Sequence, residues 1–174
     1  MPVEASAATY PGSAASSAGI FCLAEEYRRA AKLLRPKGGA GGKLSQAPYR
    51  LAAIHAIELY LNAFLLDAGS SAGTIRGYQH DFAARANHAA AAGLVLRKRT
   101  LGHLISLADR REYLVTRYDP DPASRLSEIN RLQATLEEVR SKVALRLSVS
   151  AGKGQGQSGE LGAGPAPDAR AQSR

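Results

Sequence analysis

Residues 48–68 read PYRLAAIHAIELYLNAFLLDA, and their pattern decides the fold. Leu51, Ile54, Ile57, Leu59, Leu61, Phe64, Leu65 and Leu66 fall on nearly every face of a helix of that length. A helix apolar all round is normally enclosed by its neighbours. Pro48 suits a first helical turn, and Gly69 suits the position just past the end. The spacing therefore predicts a central helix over about 48–68, with other helices packed around it.

Upstream, Ile20, Leu23, Ala24, Tyr27, Ala30, Ala31 and Leu34 recur at helical spacing over 17–35, and Pro36 ends the pattern. A glycine-rich loop follows at 37–43. Downstream, an alanine-faced helix is expected over 76–92, closed by Gly93. Leu94-Val95-Leu96 reads as an extended linker. A fourth helix is expected over 100–117, ended by the Asp-Pro-Asp-Pro run at 119–122. A fifth is expected over 122–147, with Asp121 as N-cap and Pro122 in its first turn. There Ile129, Leu132, Leu136, Val139 and Val143 alternate three and four apart, as in a bundle or dimer seam. No longer period-2 run occurs. The expectation is all-α: a four- to five-helix up-down bundle over 18–147, with a disordered leader at 1–17 and a disordered Gly/Ser/Pro-rich tail at 148–174.

Composition agrees with helices. Of 174 residues, 33 are alanine and only 6% are aromatic. One Cys and one Met exclude a disulfide scaffold, a cysteine zinc site and an iron–sulfur cluster. The longest uncharged apolar stretch, 59–66, is far short of the roughly 20 residues of a spanning helix. The N-terminus lacks the basic and apolar regions of a secretory signal. These features lead to an expectation of a cytoplasmic protein without membrane contact. The net charge is +8, and the 18–147 segment carries all of it, because the ends hold three bases and three acids between them.

Chemical motifs are sparse. The loop KGGAGGK lacks the first glycine of a phosphate loop, and Leu44 stands where Ser or Thr would follow its lysine. His55, His80, His88 and His103 form no metal-ligand spacing, so neither metal nor cofactor is expected. Cys22, between Phe21 and Leu23, reads as a small buried hydrophobe. Glu58 lies among apolar neighbours on the central helix and needs a partner. Arg117, Tyr113 or Tyr118 are candidates, with His80 and Asp81 as further structural polar groups. The bases are more telling. Arg28, Arg29, Lys32, Arg35, Lys37, Lys43 and Arg50 run from 28 to 50 without an acid. Arg97-Lys98-Arg99 and Arg110-Arg111 with Arg117 follow. Such blocks attract phosphate backbones. Arg28, Arg29, Lys32, Arg50, Arg110, Arg111 and Arg117 are the candidate nucleic-acid contacts.

Three segments resemble the HEPN domain family (higher eukaryotes and prokaryotes nucleotide-binding). Residues 55–63, HAIELYLNA, are similar to that family's A-x-E-x-x-L-K-A helix, with Asn62 where lysine is usual. Residues 77–82, GYQHDF, are similar to its H-D-L helix start. Residues 113–120, YLVTRYDP, are similar to its Y-x-x-x-R-Y-P close. The resemblance covers about 20–145. It implies a compact helical bundle, frequently a two-fold dimer, and a binder of RNA or nucleotide. Many members are metal-independent ribonucleases of toxin–antitoxin or phage-defence systems, whose signature is Arg, four to six residues, then His. There the His would move protons and the Arg would stabilise the phosphorane. This chain has no His after His103, and Arg117 stands near that position; a guanidinium cannot act as a base. Arg111, Arg117 and His80 remain the catalytic candidates. Three readings follow: an RNA- or nucleotide-binding module without the catalytic His, a ribonuclease toxin, or a dimerising module with a cognate protein partner that works through the 129–143 seam.

Overall fold

A computed structural model describes residues 10–35, 43–121 and 125–155. Every regular element among them is helical. Seven helices follow in order: α1 (Ser17–Leu34), α2 (Ala47–Asp67), α3 (Ala72–Gly77), α4 (Phe82–Ala91), α5 (Lys98–Asp109), α6 (Glu112–Tyr118) and α7 (Ile129–Gln155). A 3-10 turn, Lys43–Gln46, leads into α2.

α2 is the axis. It packs against α1, α7, α6, α4 and α3, and Ile54, Ile57, Tyr60, Leu61 and Leu65 are fully buried. Each such aliphatic side chain contributes about 1.5–3 kcal/mol relative to an exposed one. Pro48 occupies its first turn as expected. Past its end, Gly69 has φ of 92°, which a Cβ would resist, and Ser70 N donates to Leu65 O. Ala24 and Ala31 of α1, both buried, let its backbone approach α2 closely. Ser16 caps α1, its hydroxyl accepting from Gly19 N at 3.0 Å.

The structure corrects several expectations. The helix expected over 76–92 is two helices, separated by a turn at 78–81 in which Gln79 has φ of 47°. The helix expected over 100–117 is likewise split, with Arg111 at φ of 50°. At each break one residue in the left-handed region, neither glycine nor proline, takes the chain out of the helical path. The last helix starts at Ile129, not at 122. Ser127 is pinned instead: its N and Oγ donate to Glu112 at 2.6 and 2.9 Å, and its carbonyl accepts from Arg50 at 2.6 Å. Asp121, eight residues before Ile129, is not the N-cap of α7; its N–H donates to the Asp119 carboxylate. Pro122 lies outside the described residues, as do most of the 37–43 loop, residues 1–9 and residues 156–174. Residues 11–14 form turns ahead of α1, and α7 continues past 148 to Gln155. Cys22 is exposed, because α1 turns Ala24 and Ala31 inward instead. The 129–143 seam faces α2: Leu132, Leu136, Val139 and Val143 are all within the core of this one chain.

Candidate functional site

Two of the three bases of α1 are paired with carboxylates where they stand. Arg28 binds Glu25 at 2.9 Å and Glu137 of α7 at 3.2 Å. Arg29 pairs with Glu26, three residues before it. Lys32 is exposed. Arg50 is buried, 4% exposed, with Ser127 O, Gln46 and the Glu112 carboxylate (3.7 Å) around it. Burial holds its guanidinium below the ordinary value, opposed by Glu112. Arg50 therefore ties α2 to α6 and the 125–128 segment, and is not a surface contact.

A different basic face forms where α5 lies antiparallel along α7. Three contacts fix the register. Arg97 Nε and Thr100 Oγ1 each donate to Glu138 at 2.6 Å, and His103 Nδ1 meets Thr135 Oγ1 at 2.7 Å. At that register the α5 stripe Arg99, His103, Ser106, Arg110 runs beside the α7 stripe Arg131, Thr135, Glu138, Lys142. Both follow the 4-3-4 spacing of one helix face. Arg97, Lys98, Arg99, Arg110 and Lys142 are exposed, and Arg131 is half-buried. The like charges of Arg99 and Arg97, after burial, hold Arg131 below its ordinary value. Glu138, the carboxylate bonded within this face, is held by Arg97. Burial first, then Arg131 and Arg110, push His103 down to about 4, so it is neutral at pH 7. Arg131 belongs to no basic run in the sequence, and only the α5–α7 register reveals it.

The second feature is a cleft centred on Glu58. Its Oε1 lies 3.1 Å from Arg85 Nη2 on α4 and 3.8 Å from His80 Nδ1; His55 Nδ1 is 3.7 Å from Oε2. The buried partner of Glu58 is thus Arg85, not Arg117, Tyr113 or Tyr118. Arg85 Nη2 also donates to Gln79 O at 2.7 Å, which holds the 78–81 turn. Burial lowers the Arg85 guanidinium from its ordinary value, and Glu58 opposes the effect. The His80 ring stacks on Tyr113 at 4.0 Å, and the Arg117 guanidinium lies 4.5 Å over the same ring. Asp81 caps α4, accepting from Ala84 N at 2.9 Å. Tyr118 is 74% exposed and takes no part in burying Glu58.

Two cavities flank His80 and Gln79. One, of about 590 Å³, is bounded by the 78–83 turn, Leu107, Asp109, Arg111 and Tyr113. The other, of about 340 Å³, lies towards Tyr10, Asn62 and Arg76. Of the catalytic candidates, His80 and Arg111 line the larger cavity, and Arg117 joins them through Tyr113. The His80–Glu58 separation exceeds hydrogen-bond range, so the carboxylate does not orient the imidazole as it would in a relay. Arg85 was not legible as a site residue, because it stands in an alanine-rich helix with no motif around it. Among the described residues, no three His, Cys, Asp or Glu side chains converge as metal ligands. Among them, too, no helix is long and apolar enough to cross a membrane. No family model, curated protein or solved structure matches the chain.

Proposed function

We propose that the protein is a HEPN-like helical module that binds RNA through the α5–α7 basic face, without the family's catalytic His. The observation that carries this reading is the juxtaposition of Arg97, Lys98, Arg99, Arg110 and Arg131 at the α5–α7 seam, where Glu138 is already held by Arg97. Repulsion among like charges disfavours such a face, and phosphates relieve it by displacing counterions. The test is fluorescence anisotropy of the full chain with a labelled single-stranded RNA, in EDTA, across a salt series. Affinity should fall steeply with salt, with a log–log slope of about −0.7 for each phosphate contacted. The double variant Arg99→Glu/Arg131→Glu should lose about tenfold or more in affinity, while Arg29→Gln changes little. Binding indifferent to salt, or equal in both variants, would refute the reading.

His80 and Arg117 on one tyrosine favour a second reading, a metal-independent ribonuclease. The same tubes decide it on a denaturing gel. Cleavage that disappears in His80→Ala would establish it; intact RNA after long incubation at high protein would exclude it.

A further inference from the structure

Two residues that line the 340 Å³ cavity carry buried polar atoms that no protein group pairs. Arg85, 2% exposed, uses Nη2 on Glu58 and Gln79 O, but Nε and Nη1 have no hydrogen-bond partner. Asn62, on the α2 side of the same cavity, has a buried Oδ1 with none. One offers N–H donors on a cation and the other an amide. Folded proteins rarely bury such groups unpaired. Two on one cavity wall describe what is missing between them: an acceptor, preferably charged, and a hydroxyl. A hydroxyl can donate to an amide oxygen or accept from an amide nitrogen, so it suits Asn62 in either orientation.

The charges agree. Arg85 and Arg76 line the cavity with Glu58, leaving one positive charge in excess. Arg76 is exposed, and its guanidinium lies 4.4 Å over the Tyr10 ring. That stacking fixes the plane of the guanidinium and leaves its N–H edge for a planar or tetrahedral oxyanion. Next to it, a 150 Å³ recess lined by Ile20, Leu66 and Ile75 shares Tyr10, Asn62 and Arg76 with the polar cavity. Space, excess charge and unpaired groups thus coincide at the junction of the Tyr10 turn, α2 and α3.

We propose that this cavity binds a small hydroxylated oxyanion, its anionic end on Arg76 and Arg85 and a hydroxyl on Asn62. It lies apart from the α5–α7 face and does not depend on RNA binding there. Phosphate esters and hydroxycarboxylates share the required chemistry, and titration calorimetry on the full chain separates them with ribose 5-phosphate and malate. Inorganic phosphate and glycerol serve as the two half-ligands. At least one of the full ligands should bind, about tenfold or more tighter than either half. Asn62→Leu and Arg76→Gln should each weaken it by about tenfold. Asn62→Leu removes an unpaired buried group with little change in volume, so its melting temperature should hold or rise, and loss of binding cannot be ascribed to misfolding. Three results would overturn the proposal: no heat from either full ligand, unchanged affinity in Asn62→Leu, or phosphate alone binding as tightly as the ester. Arg99→Glu/Arg131→Glu should leave the calorimetry unchanged, which keeps this result distinct from that of the RNA experiment.

Discussion

His103 shows how position alone sets the charge of a side chain. It is 7% exposed, its Nδ1 is engaged by Thr135, and its Nε2 has no partner. Burial, then Arg131 and Arg110, push its pKa from 6.5 to about 4. The unfolded chain therefore takes up a proton near pH 6.5 while the folded chain does so only near pH 4. The neutral form's contribution to stability is full above pH 6.5 and is lost as pH falls from there towards 4. The loss amounts to roughly 3 kcal/mol at its upper end. Urea unfolding of the wild type and His103→Asn across that window should give a difference curve that declines with acidity, because Asn keeps a polar atom near the Nδ1 position and does not titrate. Parallel curves would show that His103 is not held neutral.

At the scale of the element, what the sequence revealed was periodicity. The 48–68 and 17–35 segments became α2 and α1 with no end shifted by more than a residue, because apolar periodicity and a terminal Pro or Gly are local facts. The breaks inside the third and fourth segments were hidden, because Gln79 and Arg111 are not residues that announce a left-handed turn. The Gln79 turn is held from a distance, by the Arg85 guanidinium on its carbonyl. The site was legible in the same uneven way. Glu58 was singled out by its apolar neighbours, whereas Arg85 and Arg131 became visible only through helix pairing. The left-handed backbone at Gln79 costs about 1 kcal/mol for a side-chain-bearing residue. Gln79→Gly should therefore raise unfolding stability by up to about 1 kcal/mol, less what glycine adds to unfolded-chain entropy. A destabilised variant in urea melts would mean that the Gln79 side chain, not the turn conformation, matters there.

Across the whole molecule, α7 decides between a seam within the chain and a seam between chains. It is 27 residues long, about 40 Å, and can span the full bundle. Its 3-4 repeat has the pattern of a dimer seam, and sequence alone cannot say which partner the repeat meets. In the structure the partner is α2, and Leu136, 2% exposed, sits with Leu132, Val139 and Val143 in the common core. An α2 with apolar residues on nearly every face needs a cover on this side, and the α7 stripe supplies it. The consequence is measurable. Leu136→Ala should cost about 2–5 kcal/mol of unfolding free energy, as for other buried leucines. If Leu136 stabilised only a contact between chains, the cost would shrink on dilution, because association depends on protein concentration. A core residue loses the same free energy at every concentration. Urea melts of the wild type and Leu136→Ala, each at low and high protein concentration and paired with light scattering, separate the two. The expected result is a large midpoint shift that dilution does not change. A shift confined to high concentration, or a variant of unchanged stability and reduced mass, would place Leu136 between subunits and reverse the assignment of α7 to the core.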